Sequence, residues 1–240
     1  MNITILHGTQ RRGSTYTLIH QIVDQLDPQV EPVVTEFFLP QAMPHFCAGC
    51  YTCIFSDEQK CPHAASVHPI REALLAADLI IIGSPVYVFD VSGQLKALFD
   101  HFGYAWMSHR PEASMFGKVG LSVVTGAGAG MTPTTKTIQT NLQWWGVGRR
   151  FQLKHGVMAS SYREIPASIK QQLDKKTAVM AKKISKALVK RQQPSWMTRV
   201  LFGVMRLSKK GHPEWNAKDH AYWQSQGYFE GNKPWKIGKA

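Results

Sequence analysis

Four cysteines stand close together as Cys47-x2-Cys50-x2-Cys53-x7-Cys61, and the chain contains no others. Disulfide frameworks spread their cysteines so as to staple distant loops. A set this crowded is a metal-type or redox arrangement of a reducing compartment. His63 and His68 follow the last thiol and keep zinc ligation open. A second chemical group is Gly8-Thr9-Gln10-Arg11-Arg12-Gly13-Ser14-Thr15. It offers hydroxyls, guanidinium groups, glycine flexibility and the start of a helix, an inventory suited to a phosphate monoester. The plainer alternative is a strand-to-helix turn with solvated arginines. The segment has neither the Gly-x-Gly-x-x-Gly of dinucleotide folds nor a P-loop lysine, so a flavin mononucleotide fits it better than NAD or ATP.

Two further segments could complete a ring-binding site. Gly83-Ser84-Pro85-Val86-Tyr87-Val88-Phe89-Asp90 combines proline, aromatic and apolar residues into a flat wall for a planar ring. Its amides would face the ring's polar edge; in the bland reading it is a proline turn with Tyr87 filling core. Thr125-Gly126-Ala127-Gly128-Ala129-Gly130 has glycines that would let backbone approach a ligand closely.

Positioning these segments requires strands and helices in alternation. Ile3–Leu6, residues 33–39, the run Leu79-Ile80-Ile81-Ile82, residues 119–124 and residues 151–158 are expected strands. The third does not alternate, as befits a strand covered on both faces. Helical spacing follows Ser14 or Thr15 as a cap, then recurs over 69–77, from Ser92, over 132–145 and over 166–189. Five strands alternating with helices make a doubly wound α/β domain, whose ligands bind beyond the carboxyl ends of the strands.

These motifs together resemble the NAD(P)H-dependent FMN reductase and iron–sulfur flavoprotein branch of the flavodoxin superfamily. The family's phosphate loop, Gly-Ser-x-Arg-x-x-Gly-Asn-Thr, is matched by Gly8, Thr9, Arg11, Gly13, Ser14 and Thr15, with Thr9 and Ser14 as departures. Gly-Ser-Pro-Val-Tyr matches residues 83–87 without change, and residues 92–96 and 99–100 are similar to the family's Ser-Gly-Gln-Leu-Lys and Phe-Asp. The likeness covers about residues 1–190. It implies a flavodoxin-like five-stranded parallel sheet of order 2-1-3-4-5, bound FMN, and a homodimer or tetramer. The implied activity is an FMN-dependent NAD(P)H oxidoreductase that passes electrons to a quinone, a flavin or a similar small acceptor. The alternative is an electron-transfer flavoprotein serving a protein or membrane partner. Cofactor-binding residues are expected at Thr9, Arg11, Gly13, Ser14, Thr15 and Tyr16, at Pro85, Val86, Tyr87 and Val88, and at Thr125, Gly126, Ala127 and Gly128. Amides of residues 86–88 and 126–128 are expected to face the flavin. No catalytic acid or base is nominated, because the flavin carries the chemistry. His101, where the family often has arginine, is expected on a helix surface. Cys47, Cys50, Cys53 and Cys61 resemble the ligands of a four-iron, four-sulfur cluster; structural or redox thiols are the preferred reading, and zinc stays open.

Composition is that of an ordinary globular protein with an unusual end. Residues 175–240 hold fifteen Lys/Arg and three Asp/Glu, while the first 174 residues hold thirteen of each, so the net charge of +12 lies wholly in the tail. A neutral body argues against nucleic acid. The start of the chain is not that of a secretory signal, and no run is long enough to span a membrane, so a cytoplasmic protein is expected. Pro194 divides a flavodoxin-like domain, residues 1–193, from an extension, residues 194–240, with Trp196, Trp215, Trp223 and Trp235. The extension is expected to pack on the body or a partner subunit. Its segment 196–207 is a basic amphipathic pattern for which packing is preferred over a membrane surface.

Overall fold

The computed structural model describes residues 1–27, 31–159 and 161–236. Strands β1 (Asn2–His7), β2 (Val33–Phe38), β3 (Leu79–Pro85), β4 (Val119–Gly126) and β5 (Arg149–Gly156) are all parallel and lie in the order β2-β1-β3-β4-β5. The chain leaves β1 toward β2 and returns to place β3 on β1's other side, which opens a ligand crevice at the carboxyl edge.

The apolar run of β3 is buried from Leu79 to Ile82 because helices cover both faces. Alternate side chains divide between two cores. Leu79 and Ile81 join Ile3 and Ile5 beneath α1 (Ser14–Asp24) and α6 (Ala167–Leu188). Ile80 and Ile82 join Leu6 beneath α3 (Ala64–Ala76), α4 (Gly93–His101) and α5 (Met131–Trp144). A short α2 (Thr52–Phe55) lies within the cysteine loop.

Two helix starts differ from expectation. Neither Ser14 nor Thr15 caps α1: Gly13 holds the cap position and Ser14 is the first helical residue. Helix α3 begins at Ala64, so Pro69 lies inside it rather than at its start. The backbone hydrogen bond that Pro69 cannot donate is offset by burial of Val67, Ile70 and Leu74 on the core face. Gly146 ends α5 as expected of a glycine, with φ of 89° and its amide donating to Gln143 O at 2.9 Å.

Beyond Pro194 the chain forms α7 (Trp196–Gly211) and α8 (Ala217–Ser225). Phe202, Trp223, Tyr228 and Trp235 bury themselves with Met107 and Phe116 of the body in a third core. The Trp223 indole donates to His109 O at 2.5 Å, and the Tyr222 hydroxyl donates to Pro111 O at 2.7 Å. No helix among the described residues is long and apolar enough to cross a membrane.

Candidate functional site

Loops leaving the carboxyl ends of β1, β3, β4 and β5 enclose a cavity of about 190 Å³. The β1 loop gives it Thr9, Arg11 and Gly13, and the first turn of α1 gives Ser14 and Thr15. First-turn amides have no partner within their own helix, so this wall attracts anions. Pro85, Val86 and Tyr87 form a second wall, and Thr125, Gly126 and Ala127 a third. Thr15 and Thr125 meet hydroxyl to hydroxyl at 2.6 Å. The fourth wall, Val157 and Ala159, was not anticipated from sequence. Its signal was present in the strand order, which sets β5 beside β4. Among the described residues lining the cavity there is no carboxylate, imidazole or thiol.

Three expected binding residues lie outside this lining: Tyr16, Val88 and Gly128. The Tyr16 ring turns toward His20, with centroids 4.1 Å apart, and the Arg12 guanidinium covers Tyr16 and Phe38 at 5.4 Å from each ring. Val88 is 97% exposed at the tip of a two-residue turn in which Tyr87 and Asp90 exchange amide hydrogen bonds of 2.8 and 3.0 Å. Val88 and Phe89 take φ of 49° and 64°, strained values for a β-branched and an aromatic residue. Of the amides expected to face a ring, Val86 donates instead to Thr125 O at 2.8 Å, and Tyr87 is spent in the turn. Tyr87 itself is half exposed and does not fill core. Two of the three glycines at and after the end of β4 serve packing, since a Cβ at Gly126 would come within 2.9 Å of Val86 and one at Gly130 within 2.6 Å, whereas Gly128 faces open space.

Beside the cavity loop, His7 Nε2 meets Glu36 Oε2 at 2.7 Å and His20 Nε2 approaches the same oxygen at 3.3 Å. Burial holds the His7 imidazole below its ordinary pKa despite the carboxylate.

The cysteine loop forms a separate region. All four thiols are free, with Cys47 and Cys50 exposed and Cys53 and Cys61 half-buried. A hydrogen bond from the Thr52 hydroxyl, 3.3 Å from Cys50 Sγ, lowers that thiol's pKa, whereas burial and then neighbouring Cys61 raise that of Cys53. Buried Arg110 fastens the loop. Its guanidinium donates to Cys53 O, to Ile54 O at 3.1 Å, to Glu58 Oε2 at 3.2 Å and to Asp219 Oδ1 of α8 at 2.7 Å. Asp219 also accepts from His109 at 2.7 Å and Lys209 at 2.8 Å. A cavity of about 620 Å³, lined by Cys47, Cys53, Tyr51, Phe99 and Trp106 among others, opens beside the loop. His101 is not on the helix surface. It is 4% exposed, because α4 turns that position toward the cysteine loop, where His63 meets it at 2.9 Å. His68 instead approaches Glu58 O at 3.3 Å.

A doubly wound parallel sheet with an anion-attracting helix start and an apolar wall at its carboxyl edge defines a flavodoxin-like protein. The family model for NADPH-dependent FMN reductase matches residues 1–161, and the chain belongs to that family of flavin-dependent oxidoreductases. An iron–sulfur flavoprotein of Archaeoglobus fulgidus is 26% identical over 188 residues, covering 77% of this chain and 80% of that protein. An FMN-dependent NADH:quinone oxidoreductase of Burkholderia lata is 34% identical over 152 residues, covering 58% of this chain and 76% of that one. Among solved structures, an NADH:FMN oxidoreductase in its apo form shares 18% identity at a TM-score of 0.56, covering 80% of this chain and 94% of that one. At that identity the likeness is one of fold.

Proposed function

We propose that the cavity at the carboxyl edge holds FMN and that the protein passes electrons from NAD(P)H to a small quinone-like acceptor. The observation that carries this reading is the convergence of four strand-end loops on one cavity with hydroxyls and Arg11 at one end and Pro85–Tyr87 at the other. The residues present fit the cofactor. The first turn of α1 with Thr9 and Arg11 would hold the phosphate, and the Pro85–Tyr87 wall would support the ring. When bound, the flavin supplies the hydride-accepting and electron-donating chemistry. A nicotinamide and an acceptor would need in turn to reach the ring from the open side of this cavity. With no carboxylate, imidazole or thiol among the described lining residues, the part these residues play is to orient the flavin and exclude water behind it. Heat-released cofactor identified by chromatography tests the reading: FMN supports it, and FAD or no flavin after reconstitution overturns it. We further propose a cytoplasmic homodimer or tetramer, to be checked by sedimentation velocity.

A second reading, electron delivery at a membrane surface, is favoured by α7. One face packs inward through Thr198 and Phe202. A different face leaves Trp196, Met197, Val200, Val204 and Leu207 more than half exposed. Helical spacing puts Arg206 and Lys210 along one edge of that apolar stripe, a pattern suited to anionic lipid, while Arg199 is held over Trp235 and donates to Pro194 O at 3.0 Å. Co-sedimentation with phosphatidylserine vesicles that Val200→Asp abolishes would support it. Absence of co-sedimentation at low salt would remove it.

A further inference from the structure

Metal-type donor atoms gather within 4.8 Å of one another in two places among the described residues. In the first, His7, His20 and Glu36 already pair with one another, and the nearby Arg12 cation opposes positive charge on His7. The second is Cys61, His63 and His101, and its geometry is different.

His101 Nδ1 lies 2.8 Å from Ala97 O within α4. A carbonyl only accepts, so Nδ1 carries the ring proton and Nε2 presents a lone pair. That Nε2 points at His63 Nδ1, 2.9 Å away. An imidazole that donates one nitrogen to a backbone carbonyl and offers the other is the arrangement found for metal-ligating histidines, where the carbonyl fixes tautomer and ring orientation. His101 is 4% exposed, so this orientation is set by packing. Cys61 and His63 are placed by the start of α3: the Cys61 amide donates to Glu58 O at 3.2 Å, and its carbonyl accepts from Ala64 N at 3.0 Å. The His63 ring is backed by His45, stacked at 4.5 Å and 9°.

We propose that Cys61, His63 and His101 form a mononuclear site for a divalent ion of the zinc or cobalt class, separate from the flavin cavity. Tetrahedral zinc bonds hold two ligating nitrogens about 3.3 Å apart, and a nitrogen and a thiolate about 3.6 Å apart. The two ring nitrogens, 2.9 Å apart, must part to that spacing, and each ring must tilt by about 35° from the line joining them so that both lone pairs meet one ion. Binding releases the Cys61 thiol proton to solvent, while the His63 proton moves from Nδ1 to Nε2. The ion clips the cysteine loop and the start of α3 to α4, with its fourth position open. This assignment disagrees with a four-iron cluster held by Cys47, Cys50, Cys53 and Cys61. A cubane takes one thiolate per iron. Here the last thiol neighbours Cys53 but also lies within 4.8 Å of two ring nitrogens, and a mixed sulfur–nitrogen set suits a single borderline ion.

The test is titration of EDTA-stripped, anaerobically reduced full-length protein with Co²⁺ and then Zn²⁺. The expected result is one Co²⁺ per chain with tetrahedral d–d bands and a thiolate-to-metal charge-transfer band, all displaced by Zn²⁺. Cys61→Ser should remove the charge-transfer band. His63→Gln should weaken binding by at least about 100-fold, beyond the range of outer-shell changes. Cys47→Ser and Cys50→Ser should leave stoichiometry and affinity unchanged. Buried His101→Gln carries a risk of misfolding, so half-exposed His63→Gln, checked by circular dichroism, bears the test. Lack of stoichiometric binding overturns the proposal, as does equal loss in Cys47→Ser and Cys50→Ser. So does a product of four irons and four sulfides per chain, after anaerobic iron and sulfide reconstitution, that forms unchanged in His63→Gln.

Discussion

The cavity proposed for the flavin and the cysteine loop are held in place by different means. Around the cavity each strand end is tied to its neighbour by backbone groups: Gly8 N donates to Gly83 O at 2.7 Å, Val86 N to Thr125 O at 2.8 Å, and Val157 N to Gly126 O at 2.7 Å. Those bonds follow from the parallel register itself. The cysteine loop has no such neighbour strand. It depends on the Arg110 side chain, which depends in turn on Asp219 in the extension. One site inherits its rigidity from the sheet, and the other takes it from a buried charge network assembled late in the chain.

The largest expected effect therefore comes from breaking that network. Asp219 is fully buried and is shared by Arg110, His109 and Lys209. Asp219→Ala strands buried cations and should cost about 3–5 kcal/mol. Urea unfolding should show that loss, and limited proteolysis should open the extension and the cysteine loop while FMN affinity holds. The same carboxylate makes the extension sensitive to acid. Burial works to raise its pKa, but hydrogen bonds from His109 and Lys209 outweigh it, and the net displacement is downward. A carboxyl depressed by folding contributes stability that is fully present above the unfolded value, about 3.9. That stability is lost as pH falls through the lower folded value. Wild-type stability should therefore drop below pH about 4, with a shallower drop in Asp219→Ala.

The same contrast explains what is legible in the sequence. The unbroken apolar run at Leu79–Ile82 announces a doubly covered strand, and Gly8–Thr15 follows the end of β1 while Gly83–Tyr87 spans the end of β3, so their convergence follows from topology. Local patterns mislead where tertiary packing decides the outcome. Pro69 has the look of a helix start because proline favours the first turn, yet core contacts by Val67 and Ile70 extend α3 past it. His101 has the look of surface because its burial depends on the cysteine loop folding back over α4. Arg110 and Asp219 carry no local pattern, since the hydrogen bond joining them spans 109 positions.

A smaller effect separates the two arginines of the proposed phosphate loop. Arg11 lines the cavity, whereas Arg12 lies over Tyr16 and Phe38. Arg11→Ala should weaken FMN by about 1.5–3 kcal/mol, roughly ten- to hundred-fold, through loss of a charge-assisted contact. Arg12→Ala should leave FMN affinity within about two-fold, since its energy goes into ring stacking at the β2 edge. Fluorescence titration of apoprotein reads both. Equal losses would mean that the phosphate lies elsewhere than the proposed wall.

The smallest effect tests whether backbone ties alone hold the cavity. Ser92, fully buried, caps α4 by accepting from Leu95 N at 3.4 Å, and its hydroxyl donates to Gly8 O at the root of the phosphate loop. A Cβ at Gly8 would come within 2.9 Å of that hydroxyl oxygen, so the two residues fit only as a pair. Ser92→Ala removes the cap and this one side-chain tie, at a cost of about 1 kcal/mol. The amide bond from Gly8 to Gly83 remains, and the loop should stay where the register puts it. Global stability should fall by that amount in urea, while FMN affinity changes by less than about three-fold, under 1 kcal/mol. A loss of FMN binding as large as that of Arg11→Ala would show that a side chain holds the phosphate loop as Arg110 holds the cysteine loop. The distinction between the two regions would then fail.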